Sequence, residues 1–238
     1  MVRVPLDVHV WVRPTAAMDD GAVGQALAVL SADERERCGR FRFARDRRDF
    51  AAAHALLRTV LSERAGRSGG GRTPSDWRFE TVANGKPVLA ADTPAPVAFN
   101  LTHTRGCVAV ALTGGPPVGV DVEALDRKPA IEGLAHRYFG PSEIAWLTGA
   151  AGDERRERFF LLWTLKEAYL KATGEGIARS LHAIRFDLSP VGAVDRFTAP
   201  PGVDASDWAF NTTQAAPGYV LSVAVETRSK LRLHVSRI

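Results

Sequence analysis

Cysteine is scarce: the 238 residues contain two, Cys38 and Cys107, neither in a Cys-x-x-Cys pair. That argues against a disulfide framework and a structural zinc site, and makes a reducing cytoplasm the expected compartment. No apolar run approaches the roughly 20 residues a membrane helix needs; the longest are broken by Gly, Thr or charge. The opening MVRVPLDVHVWVRP lacks the apolar core and small-residue cleavage site of a secretory signal. A disorder-like composition is also missing. Apolar residues make up 45% and charged residues 24%, the balance of an ordinary soluble chain. The length allows one large domain or two small ones with real cores.

Net charge is modest, +4 from 31 basic and 27 acidic side chains, but it is unevenly spread. Arg35, Arg37, Arg40, Arg42, Arg45, Arg47 and Arg48 crowd one stretch that contains only Glu36 and Asp46 as acids. Such a patch attracts phosphate, an acidic protein or nucleic acid. It equally describes a solvated helix face.

Residues 2–12 alternate as a strand, with Val2, Val4, Leu6, Val8, Val10 and Val12 on one face, and Pro5 favours an edge position. Residues 32–42 and 46–64 read as helices; Phe50, His54, Leu57 and Leu61 recur at helical spacing. The glycine-rich stretch 65–76 reads as a flexible loop. Strands are expected over 77–82, 87–89 and 98–101, and 107–112 with 118–123 form the strongest hairpin, joined by the GGPP turn. Helices over 131–138, 141–147 and 153–173 precede strands at 183–188, 208–211, 219–226 and 231–235. Helices separating groups of strands define an α/β or α+β protein.

The sharpest local feature is Gly119-Val120-Asp121-Val122-Glu123. On a strand, Asp121 and Glu123 share one face while Val120 and Val122 take the other. Two carboxylates so placed suit magnesium, which wants oxygen ligands; acidic pairs at strand ends are also common at plain surfaces. In the expected long helix, Glu167 and Lys171 lie one turn apart, as an ion pair or as part of a site. The apolar stretch before them, including Leu162, Leu165 and Tyr169, anchors that helix in a core. Three acids meeting there would repel unless a divalent cation neutralised them. Gly174 and Gly176 permit close approach, or simply end the helix. Thr102, His103 and Lys86 are phosphate-compatible donors; plain surface charge and a capping histidine are the alternatives.

These blocks together resemble the 4′-phosphopantetheinyl transferase superfamily, in particular its Sfp-like class. GVDVE at Gly119–Glu123 matches its G-[VI]-D-[VI]-E strand, and WTLKEAYLKATGEGI at Trp163–Ile177 matches its W-[ST]-x-K-E helix and the glycines beyond it. NGKP at Asn84–Pro87, FNLTH at Phe99–His103 and the Arg-rich block leading into HALLR at His54–Arg58 support the match. The resemblance runs from about Arg35 to Ile177.

The resemblance implies two similar lobes related by a pseudo-twofold axis, 1–104 and 105–238, with coenzyme A in their cleft. It implies magnesium on Asp121, Glu123 and Glu167, and catalytic roles for Glu167, Lys171 and Lys166. Coenzyme A would meet Lys86, Thr102, His103, Lys166, Lys171 and basic residues among Arg37, Arg40 and Arg48; the family's further basic position falls on Glu34, a departure. The implied reaction moves phosphopantetheine from coenzyme A to a serine of an apo acyl or peptidyl carrier domain of fatty-acid, polyketide or nonribosomal-peptide synthesis. A monomer is expected, with neither nucleic acid nor membrane as partner. The competing readings are an Arg-rich module binding nucleic acid or an acidic protein, and an unrelated magnesium-dependent nucleotide transferase or hydrolase.

Overall fold

Period-two alternation from Leu6 onward produces β1 (Leu6–Pro14), which buries Val8, Val10 and Val12 on one face. The computed structural model describes residues 4–67, 71–82, 85–92, 97–175 and 181–238. Val2, Asn84, Gly176 and Ile177 of the sequence motifs therefore lie outside the described residues. The edge position expected from Pro5 is not observed. β1 pairs in parallel with β11 (Leu231–Arg237) and antiparallel with β5 (Cys107–Thr113). Pro5 precedes the first paired residue, Leu6, so its missing donor costs the ladder nothing.

β4 (Ala98–Thr104) completes this sheet in the order β11-β1-β5-β4. The turn at Arg105 and Gly106, where the two lobes were expected to divide, joins β4 to β5 within that sheet. The expected GGPP hairpin is also absent. β6 (Val118–Ala124) belongs to a second sheet with β10 (Tyr219–Glu226) and β9 (Trp208–Ala216), in the order β6-β10-β9. Both edges of β5 are already taken by β1 and β4, so β6 must find another partner. Short hairpins β2 (Phe79–Thr81) with β3 (Pro87–Leu89), and β7 (Arg185–Leu188) with β8 (Val194–Thr198), complete the strands.

One long helix covers the first sheet, and two short helices pack on that helix. α1 (Asp20–Ala28), which apolar periodicity did not reveal, starts on Asp19, whose side chain accepts the Ala22 N–H at 2.7 Å. α2 (Ala32–Gly39) opens with a capping box between Ser31 and Glu34 and stops three residues before the expected end. α3 (Ala44–Arg67) runs further than expected and takes in the start of the predicted loop. It buries Leu56, Leu57, Val60 and Leu61 against Phe99, Val108, Val110 and Leu112 of β4 and β5.

α4 (Ile131–Tyr138), α5 (Pro141–Thr148) and α6 (Gly152–Thr173) follow β6. α6 is buried on most of its circumference, with Phe159, Phe160, Leu162, Leu165, Tyr169 and Leu170 in one core. It lies on β6 at a separation only glycine allows: a Cβ on Gly119 would overlap the Ala168 carbonyl and the Ala172 amide. That contact sets how close the carboxylates of α6 come to those of β6. Among the described residues, no helix is long and apolar enough to cross a membrane.

Candidate active site

Alternate residues of β4 meet the acidic strand side by side. Asn100 Oδ1 accepts the Val120 N–H at 3.0 Å, Thr102 Oγ1 donates to Asp121 Oδ1 at 3.1 Å, and Thr104 Oγ1 donates to Glu123 Oε2 at 2.8 Å. Positions i, i+2 and i+4 of one strand share a face, so β4 fixes both acids from one side. On the opposite face Val120 and Val122 are fully buried, as alternation predicts.

From α6, Lys171 Nζ reaches the strand, 2.5 Å from Asp121 Oδ1 and 2.9 Å from Thr102 Oγ1. One turn back, Glu167 faces the same acids. Burial, followed by the negative charge of Asp121, pushes its carboxyl up to about 7 against the partial relief of Lys171. Asp121 is likewise raised by burial, with Lys171 opposing. Asp121 Oδ2 and Glu167 Oε1 are both buried and accept no hydrogen bond. Beneath them a hydroxyl chain runs from Thr164 to Ser222 at 2.8 Å and on to Thr212 at 3.1 Å.

A cavity of about 460 Å3 opens beside Glu123, lined among others by Phe41, Arg45, His103, Thr104, Arg105 and Arg127. Desolvation and then the charge of Lys171 lower the proton affinity of His103, so a neutral imidazole faces the cavity at neutral pH. The buried carboxylate of Asp49 accepts from Thr15 and, at 3.1 Å, from the Gly106 N–H, holding the turn next to His103 and Thr104. Lys86 Nζ donates to the Ala172 carbonyl at 2.9 Å, at the C-terminal end of α6, and burial lowers its pKa.

The structure thus brings together Thr102, Asp121, Glu123, Glu167 and Lys171, with His103 and Lys86 at the flanks. It does not bring in Lys166. That side chain is 1% exposed and pairs at 2.9 Å with the fully buried Glu143, while donating to the carbonyls of Tyr138, Leu181 and Ile184. The expected grip of Lys166 on a ligand is corrected by its direction: one residue from Glu167 on a helix is about 100° away, here into the core.

The arginines divide differently from expectation. Arg37 lies over the Phe50 ring at 5.7 Å, Arg40 pairs with Glu36 at 2.5 Å, and Arg48 approaches Asp49 at 3.4 Å. Arg45 lines the cavity instead. Glu34, the departure in the basic pattern, is a buried hub that accepts from His54 at 2.9 Å and from Arg58 at 2.8 Å. Thr104 and Arg127 escaped the sequence reading, although Thr104 stands two residues beyond Thr102 on a strand, a spacing that marks a shared face.

Among the described residues, no group of three or more His, Cys, Asp or Glu is arranged to hold a metal ion. Lys171 and Arg127 occupy Asp121 and Glu123. The two unpartnered oxygens, on Asp121 and Glu167, nevertheless suit magnesium, which is held by one or two carboxylates together with substrate phosphates and water.

Comparison with known proteins points to one class along most of the chain. The chain belongs to the 4′-phosphopantetheinyl transferase superfamily: the superfamily model matches residues 117–224 and the 4′-phosphopantetheinyl transferase N-terminal model matches 19–114. It is 35% identical over 197 residues to 4′-phosphopantetheinyl transferase HetI of Nostoc sp., covering 82% of this chain and 79% of that relative. With 4′-phosphopantetheinyl transferase Sfp of Bacillus subtilis it shares 29% over 197 residues, covering 83% and 82%. An α/β architecture with two domains accords with that family.

Proposed function

We propose that the protein transfers 4′-phosphopantetheine from coenzyme A to a serine of an apo acyl or peptidyl carrier domain, releasing adenosine 3′,5′-bisphosphate. The observation that carries this reading is the pair of buried, unpartnered carboxylate oxygens on Asp121 and Glu167 beside a cavity walled by His103, Arg45 and Arg105. Asp121 and Glu167, with Glu123, would hold magnesium. When bound, that ion supplies charge neutralisation to the diphosphate oxygens of the donor.

The chain's own groups do the rest. Glu167, directly or through a water, accepts the proton of the attacking serine hydroxyl. Lys171 leaves its contact with Asp121 far enough to stabilise negative charge on the transferred phosphoryl group. The neutral His103 donates to a donor oxygen while Thr102 holds Asp121 in place, and Arg45 serves the phosphate end of the cavity. The serine oxygen forms the new bond to phosphorus as the bond to the nucleotide phosphate breaks, so no enzyme nucleophile is required.

In this reading the two lobes, 1–104 and 105–238, are related by a pseudo-twofold axis. One chain then supplies every group of the site, and the protein acts as a cytoplasmic monomer. Arginines paired with neighbouring acids, such as Arg40 with Glu36, favour this reading over a nucleic-acid module. The test is incubation with magnesium, coenzyme A and a panel of apo carrier domains, followed by intact-mass analysis. A gain of one phosphopantetheine arm on a carrier serine supports the reading; no modified carrier across fatty-acid, polyketide and peptide types sinks it.

A further inference from the structure

Arg127 belongs to neither motif, yet it stands between the acidic strand and the cavity. Its guanidinium pairs with Glu123 on the carboxylate oxygen that also accepts from Thr104. The same side chain lines the cavity with His103, Arg45 and Arg105. Its backbone is held from several directions. The Leu125 N–H donates to the Gly218 carbonyl at 2.8 Å, and the Leu125 carbonyl accepts from Arg156 Nε at 2.6 Å. Asp126 accepts from Arg105 at 2.7 Å, and the Arg127 N–H closes the turn on Ala124 at 3.3 Å. The side chain on this fixed turn remains 46% exposed, whereas that of Glu123 is 12% exposed. The head group is therefore free to change direction while its Cα is not.

We infer that Arg127 is a partner-exchanging residue of the donor pocket, a role that rests on the transferase reading. It neutralises Glu123 until a divalent cation takes over that carboxylate, and then turns to a phosphate of the donor in the cavity. The reason is electrostatic. The Glu123 side chain is only 12% exposed and shares one strand face with Asp121, so its charge requires a compensating cation, which Arg127 supplies. A divalent ion and Arg127 cannot both approach one carboxylate without repelling each other, whereas a phosphate in the cavity attracts the displaced guanidinium. Arg127 thus opposes metal binding to the free protein and favours donor binding to the metal-loaded protein. A residue that merely supported the fold would weaken both.

The experiment compares the whole chain with Arg127→Ala and Arg127→Lys. Manganese binding without coenzyme A is read from the electron paramagnetic resonance of the free ion. Coenzyme A binding is read by calorimetry at saturating magnesium. For Arg127→Ala, manganese binding should tighten by about threefold to fivefold and coenzyme A binding should weaken by about fivefold, the scale of one exposed charge pair. Arg127→Lys, which keeps the charge, should lie closer to the parent in both. Equal losses in both affinities, or no change in either, would overturn the inference. If the parent binds coenzyme A and modifies a carrier but Arg127→Ala matches it, this inference alone falls. A parent that binds no coenzyme A overturns the transferase reading and this role with it.

Discussion

Replacing Gly119 with alanine isolates the contact that brings helix α6 to strand β6. The backbone at Gly119 is not in the left-handed region, so alanine meets no conformational penalty there. Space alone opposes it: the new methyl would fall on the Ala168 carbonyl and the Ala172 amide, both main-chain atoms of α6. Flexible side chains can turn aside, but a buried helix backbone can only move as a body. Overpacking typically costs 1–3 kcal/mol, and with main-chain obstacles the upper end applies, about 3 kcal/mol. For a chain of this size that lowers Tm by roughly 6–12 °C. The displaced helix carries Glu167 and Lys171 with it. A misplacement of about 1 Å costs on the order of a hundredfold in rate. Guanidinium denaturation, thermal melting and carrier modification per folded molecule read these effects. Gly114→Ala is the control, since nothing lies within 4 Å of its added methyl; it should change stability by less than about 0.5 kcal/mol. Gly119→Ala with the stability and turnover of the control would refute the reasoning.

Glu167→Gln keeps the shape of the helix face and removes the proposed proton acceptor. Transfer should fall by about two to four orders of magnitude while calorimetry finds coenzyme A binding within a few fold of the parent. Near-normal turnover removes Glu167 from the chemistry. Lys166→Met leaves Glu143 buried without its cation and should cost about 3 kcal/mol in denaturant unfolding; coenzyme A affinity in the surviving folded fraction should stay near that of the parent. Burial opposes ionisation of Glu34, but hydrogen bonds from His54 and Ser31 and the charges of His54 and Arg58 hold its carboxyl down at about 2. Its folded pKa lies below the ordinary value of 4.5, so its contribution is complete above 4.5 and disappears as pH falls toward 2. After solvent screening the effect is about 2 kcal/mol, and urea unfolding between pH 5 and pH 3 should show less loss in Glu34→Gln than in the parent.

Features governed by neighbours in the chain were legible in advance. Two-residue alternation placed Asp121 and Glu123 on one face and buried Val120 and Val122 on the other. The apolar stretch of α6 marked a helix anchored in a core, and Gly174 ends it in the left-handed conformation its position suggests. The turn signal at GGPP misled because a turn motif specifies a reversal of direction, not which strand will be the partner. β5 had no free edge, so β6 crossed to the other sheet. Lys166 misled for a related reason. A lysine next to Glu167 looks available in one dimension, and only the position of Glu143 on another helix shows where its charge is balanced.

The sequence alone determined the chemistry on offer: strand acids in alternation, a helix glutamate and lysine one turn apart, and phosphate-compatible donors elsewhere. Periodicity and residue type are local properties, which is why they could be read directly. Tertiary structure decided which of these groups meet. The close packing at Gly119 sets the approach of Glu167 and Lys171, the β4 threonines orient the two strand acids, and Arg45 rather than Arg37 or Arg40 reaches the cavity. Those outcomes depend on contacts between residues far apart in the chain, where the winning partner is set by space, burial and charge compensation together.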